Sequence, residues 1–333
     1  MNTTPARPAL PLLFFLLAAC GGGSPQPEPE WNLASSQGTA LGPATGTPPV
    51  VVAPAPPAAP SPAPPAVPSP PPPPAAPPPP PPAPPPPPPP PPAATDCSAL
   101  SLCEDFEAGR VGFAPEATRW QIGGPNCFSG AGQATIDDTQ SWRGGKSVRL
   151  NPGGDYCGHV FIQTPVIDTL GPVRYVRFHV RLARALDNTH VTLVSMRDAN
   201  DSGATQSQEL RLGGQNGIIK WNRSRDDATV PSLSPQGVAL SVPLPAQRWT
   251  CIEFRLDQSQ GTLATWVDGM APPGLQQDGL ATPEVDQAWL SRLPGWRPNI
   301  NLLRLGWEAY GGATNTVWID DVAISSTRIG CSP

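Results

Sequence analysis

The chain is predicted to be all-β: a jelly-roll β-sandwich preceded by a signal peptide and a disordered proline-rich stalk. Three observations carry this. Pro48 to Pro92 is almost entirely proline and alanine, and composition changes sharply near Ala94. Beyond it, Val173 to Leu182 (VRYVRFHVRL) alternates apolar and polar residues, as a half-buried strand does. Further short apolar runs are punctuated by Gly213-Gly214, Asn216-Gly217, Asp268-Gly269 and Gly311-Gly312, the spacing of a sandwich or jelly roll.

Residues 1–19 read as an export signal: Arg7, then the short apolar run Leu10 to Leu17, too short to span a bilayer. The run leads into Leu17-Ala18-Ala19-Cys20 and Gly21-Gly22-Gly23-Ser24. This resembles the bacterial lipobox, which implies acylation of Cys20 and a cell-envelope location. Gly21 in place of Asp implies the outer rather than the inner membrane. The competing reading is a secretory signal cleaved near Ala19. Residues 20–47 are expected to be a disordered tether. Residues 48–95 form the stalk, a polyproline II rod reaching roughly 140 Å when fully extended.

Residues 96–333 form the expected globular domain, with nine of the ten tryptophans and both lysines, Lys146 and Lys220. The chain carries a net charge of −5 and no basic run, which argues against nucleic acid as a partner. Apart from Cys20 there are six cysteines: Cys97, Cys103, Cys127, Cys157, Cys251 and Cys331. An even number in an exported domain reads as disulfides, and the preferred pairing is 97–103, 127–157 and 251–331. Cys-x-x-Cys and Cys/His clusters are absent, so zinc is not indicated.

Strands are expected at Val191 to Met196, Glu209 to Leu212, Ile218 to Trp221, Thr250 to Leu256, Leu263 to Val267, Leu302 to Trp307 and Val317 to Ile324, with one short helix at Asp286 to Leu293. Several phrases recur in a set order: Cys103-Glu104-Asp105-Phe106-Glu107, Ser141 to Leu150 (SWRGGKSVRL), Leu210-Arg211-Leu212-Gly213, Gly306-Trp307-Glu308-Ala309-Tyr310 and Trp318-Ile319-Asp320-Asp321. Together they resemble the polysaccharide-lyase-like, concanavalin A-like jelly-roll domains related to fungal glucuronan lyases, over essentially all of residues 97–331.

The resemblance implies a structural calcium ion between the first and last strands. Glu107, Asp320 or Asp321, and hairpin carbonyls around Ser141 to Gly144 would supply hard oxygen ligands. Neighbouring residues of a strand face opposite ways, so one aspartate alone should point at the metal. The competing reading is turn-capping and surface carboxylates.

It also implies recognition of an acidic polysaccharide, with or without β-elimination, by a monomer. Elimination needs a group that neutralises the uronate carboxylate, a base for the C5 proton and an acid for the leaving O4. His190, Arg211 and Tyr310 are the catalytic candidates. Arg197, Asn222, Trp221 and Glu308 are the substrate-binding candidates. Each has a plainer reading: a structural histidine, a solvated arginine, a turn-capping tyrosine. His159 and His179 are less attractive, the first near a disulfide and the second inside an alternating strand. Hydrolysis is disfavoured, because Glu253 and Asp257 fit a paired-carboxylate strand poorly. A non-catalytic glycan binder would instead use indoles, with Trp221, Trp289, Trp296 and Trp307 as candidates. Trp249, Trp266 and Trp318 are expected between the sheets. An adhesive surface lipoprotein without a glycan ligand is the remaining alternative.

Overall fold

The computed structural model describes residues 97–125, 127–200, 208–311 and 313–331. The expected signal peptide, Cys20, and the expected tether and stalk lie outside them.

The domain is two seven-stranded antiparallel sheets packed face to face. In the first sheet, Thr262–Val267 (β12) pairs with Trp249–Asp257 (β11) and this with Val173–Leu182 (β6). Next come Val317–Ser325 (β14), Ser147–Asn151 (β4) and Gln133–Asp137 (β3), with Leu102–Glu104 (β1) also paired to β14. The second sheet runs Ala228–Val230 (β10), Ile218–Arg223 (β9), Glu209–Gln215 (β8), Val191–Asp198 (β7), Ile300–Ala309 (β13), Val160–Thr164 (β5) and Gln121–Gly123 (β2). Pro235–Val238 (α1) and Gln287–Arg292 (α2) are short helices. Among the described residues no helix is long and apolar enough to cross a membrane.

Period-two patterning sets the core. Val176, Phe178, Val180 and Leu182 of β6 point inward with Ile252, Phe254 and Leu256 of β11. Leu210 and Leu212 of β8 and Ile219 and Trp221 of β9 meet them from the second sheet. The sheets touch where the Trp221 and Phe254 rings cross at 87° and Trp221 Nε1 donates to Thr265 Oγ1 at 2.9 Å. The alternation leaves Thr192, Arg211, Lys220, Asn222 and Glu308 on the outer face of the second sheet.

That face is shaped by register shifts at Thr192/Val194 and Leu305/Glu308. Glycines sit in the same strands: a Cβ at Gly213 would lie 1.9 Å from the Val191 carbonyl, and one at Gly306 would lie 2.1 Å from that of Val160. Such close backbone approach excludes any larger residue.

The bonds Cys97–Cys103, Cys127–Cys157 and Cys251–Cys331 form as expected. The last holds the C-terminal segment over the first sheet, where Glu253 Oε1 accepts from the Ile329 and Gly330 amides. Asp257 caps its own turn through Ser259 and Gln260. Neither carboxylate therefore belongs to a hydrolytic pair. The expectation that Trp249, Trp266 and Trp318 pack between the sheets is corrected: Trp249, in register with Arg181, has the parity opposite to the inward Ile252 and Phe254. Trp266 pairs in register with Glu253 and stacks with Tyr175. Trp318 lies under Arg181 and donates to Asp137. Both occupy the outer face of the first sheet.

Candidate active site

His190 immediately precedes β7, and Tyr310 immediately follows β13. Their strands are neighbours, and the Tyr310 amide donates to the His190 carbonyl at 3.1 Å. The two rings stack, and the Arg211 guanidinium carbon lies 5.4 Å from the Tyr310 ring centroid. The three proposed catalytic residues are thus in one place, although 120 positions separate His190 from Tyr310. His190 and Tyr310 are half-buried, whereas Arg211 is buried beneath.

Arg211 makes no ion pair among the described residues, and its Nε has no hydrogen-bond partner. Its neighbour Glu209 is committed elsewhere, accepting from Ser195 Oγ at 2.7 Å and from Arg304 at 3.0 Å. A buried guanidinium with no carboxylate partner keeps its planar fork of donors available for bidentate pairing.

Lys220, absent from the sequence candidates, completes the group. It is 1% exposed, with Nζ 3.3 Å from His190 Nε2. Burial, foremost, and the nearby Arg211 charge lower its pKa from 10.5 to about 8, against the opposing pull of Asp227. Burial, then Lys220 and Arg211, lowers His190 to about 4. The imidazole is neutral at neutral pH. Tyr310 moves the other way: burial raises its phenol above the usual value, helped by Glu308 and Tyr156 and opposed by Arg211. A neutral base candidate thus lies against a firmly protonated acid candidate, the separation that acid–base chemistry requires.

The binding candidates fare unevenly. Asn222 pairs in register with Arg211 on the same face, and its amide is held by Asp227 at 2.7 Å. Glu308 is wholly buried, and its role as a substrate contact is corrected: it accepts from the Tyr310 hydroxyl at 3.2 Å. Arg197 is turned to Asn301 at 2.7 Å, toward the far end of β7. Trp221 is corrected outright. It is a core residue, because it faces opposite to Lys220 and Asn222 on β9.

Trp307 is buried, donating to the Ala313 carbonyl. Trp289 and Trp296 pack edge to face, with Arg223 over both. His159, the less attractive histidine by sequence, lies near the site, Nδ1 2.7 Å from the Tyr156 carbonyl and 3.8 Å from Glu308. Tyr156 in turn packs on Tyr310. One signal could have found Lys220: on β9 it alternates with the apolar Ile219 and Trp221, so it shares the outward face with Asn222.

Beside the first sheet, Glu107 and Asp320 grip one turn. Glu107 Oε1 accepts from the Gly145 and Lys146 amides at 2.8 Å each. Asp320 Oδ2 accepts from the Trp142 and Arg143 amides at 2.7 and 3.3 Å. Burial raises Asp320 to about 7. Asp321 instead meets Arg143, at 3.7 Å. A Cβ at Gly144 would lie 2.3 Å from Glu107 Oε1, so the turn is a cradle only glycine leaves open. Among the described residues no three His, Cys, Asp or Glu side chains gather as a metal set. Any cation there would draw on turn carbonyls as well. Such an all-oxygen donor set fits calcium.

Two antiparallel sheets packed face to face in this strand order make the domain a jelly-roll β-sandwich. The chain belongs to the family described as Polysacc_lyase-like: Cip1-like, core domain, which matches residues 105–327. Among solved structures it is similar to "Cellulose induced protein, Cip1", at 38% identity and a TM-score of 0.61, covering 69% of this chain and 100% of that one. The endo-beta-1,4-glucuronan lyase of the fungus Trichoderma reesei follows at 12% identity and a TM-score of 0.39, covering 68% and 96%. The CBM22-1 xylan-binding domain of Paenibacillus barcinonensis Xyn10C stands at 11% and 0.35, covering 70% and 96%. No curated protein matches.

Proposed function

We propose that this protein cleaves an acidic, uronate-containing polysaccharide by β-elimination. The observation that carries the reading is the buried, unpaired Arg211 beside a neutral histidine and a protonated tyrosine. Arg211 pairs with the uronate carboxylate and so acidifies C5–H. His190 removes that proton, the electron pair forms the C4–C5 double bond, and the C4–O4 bond breaks. The Tyr310 hydroxyl gives its proton to O4. Asn222 lies beside Arg211 on the same face, its amide nitrogen committed to Asp227 and Ala228 and its Oδ1 left to accept from a sugar hydroxyl. Pure binding by aromatic stacking is less well supported, because the candidate indoles Trp221 and Trp307 lie in the core.

Glu107 and Asp320, with carbonyls of the Ser141 to Gly144 turn, would hold a calcium ion that fixes the meeting of the first and last strands. The ion lies outside the chemistry. Acylation at Cys20 would anchor the chain in the bacterial outer membrane, with the stalk carrying the domain as a monomer.

The test is the ultraviolet absorbance of the new conjugated double bond while the protein meets glucuronan, alginate and pectate. A rise that vanishes in Tyr310→Phe establishes the lyase. No rise on any uronate polymer would overturn it in favour of a glycan-binding or adhesive role.

A further inference from the structure

We propose that Lys220 takes the proton that His190 removes, so that the pair works as a relay through the imidazole: in at Nδ1, out from Nε2 to Nζ. This rests on the lyase reading above.

The geometry restricts what each group can do. His190 directs Nε2 at Lys220 Nζ, 3.3 Å away, and its Nδ1 makes no hydrogen bond among the described residues. A charged ammonium has donors and no acceptor. Facing it, Nε2 must accept, which puts the ring proton on Nδ1 and leaves that nitrogen unable to act as a base. A neutral amine reverses the bond. It accepts from Nε2–H, and Nδ1 then holds a free lone pair toward the open side.

The cycle closes with each proton assigned. With Lys220 neutral, Nδ1 takes the C5 proton as the C4–O4 bond breaks and Tyr310 protonates O4. The imidazolium passes its Nε2 proton to Nζ, giving an ammonium and a neutral ring protonated at Nδ1. Loss of the Nδ1 proton to water, while Nε2 recovers one from Nζ, restores the start, and Tyr310 regains its proton from water.

The groups facing Lys220 suit this use. His190 approaches from the start of β7, Arg211 from β8 and Asp227 from the turn before β10, while Gly213 opposite it in register brings no side chain. Burial and Arg211 favour the neutral amine, and Asp227 favours the ammonium. With a pKa lowered to about 8, both states are reached near neutral pH.

The experiment is nitrogen NMR of the histidine rings in the full-length protein, labelled at its three histidines, from about pH 6 to about pH 10. His190→Gln assigns the signal. The expected result is a neutral ring throughout whose proton moves from Nδ1 to Nε2 as Lys220 titrates. In Lys220→Met the movement disappears. Lys220→Arg, which stays charged, holds the Nδ1–H form and loses about 100-fold or more in turnover. A His190 tautomer indifferent to pH and to Lys220→Met overturns the relay. So does turnover by both variants with the parent pH profile, and in that case the lyase reading stands. A tautomer switch without turnover on any uronate leaves the pair intact and removes its catalytic use together with the lyase reading.

Discussion

The imidazole of His190 lies flat against the phenol of Tyr310, ring centroids 4.4 Å apart and planes 20° from parallel. Base and acid candidates therefore approach a sugar from the same side. This favours substrates whose C5–H and C4–O bonds share one face of the ring. Glucuronate and mannuronate polymers meet that condition and galacturonate does not. Rates of double-bond formation should be high on glucuronan or mannuronate-rich alginate and negligible on pectate. Equal rates on pectate would contradict a single-sided site.

Arg211 is the group on which charge recognition depends. Arg211→Met should lower turnover by about 100-fold or more while leaving the melting temperature within a few degrees, because no ion pair is lost. Isothermal titration with uronate oligomers should show weaker binding in the same variant. Unchanged kcat/KM would place the carboxylate elsewhere.

Lys220 also has a pH signature in stability. Its folded pKa is about 8 and its reference value 10.5. Between these the unfolded chain binds more protons, so stability rises with pH. Below about pH 8 both states are charged and the burial penalty is felt in full. Lys220→Met should therefore be more stable than the parent at pH 7, with the gap closing toward pH 10. Denaturant unfolding at several pH values checks the sign.

The Cys251–Cys331 bond closes a span of 80 residues. Replacing both cysteines by serine should cost about 2–5 kcal/mol of unfolding free energy. It should also free the Ile329 and Gly330 amides from Glu253, seen as faster amide exchange at those positions. Retained stability would mean that the hydrogen bonds to Glu253 and Arg177 are enough to hold the C-terminal segment.

Calcium, if held by Glu107 and Asp320, should stabilise the native state by about 2.7 kcal/mol at a hundred times its dissociation constant. Thermal melts with calcium and with chelator should differ for the parent and coincide for Glu107→Gln/Asp320→Asn. Identical parent melts would leave the two carboxylates as anchors of the turn.

Much of the fold was legible because period-two patterning is local. The long strands at 173–182, 249–257 and 317–325 announce themselves, and so does the helix near Trp289. Strands β2, β5 and β10 do not, since three to five residues carry too little pattern. β5 was hidden further by Cys157 and Gly158 just before it. The site was half legible. His190, Arg211 and Tyr310 stood out as rare or outward-facing residue types, but Trp221 could be assigned to a face only once its strand had a partner.

By itself the sequence determined the all-β class, the even set of cysteines that pair as disulfides and the chemical types available for catalysis, because these depend on composition and near-neighbour order. Tertiary structure decided which of them meet. Strand order brings β7, β8, β9 and β13 side by side, and the register shifts at Thr192 and Glu308 fix how these strands align. Only that pairing sets Lys220 behind His190, leaves Arg211 without an ion-pair partner among the described residues and sends Trp221 inward. Burial and electrostatic fields act through space, and no single stretch of chain contains them.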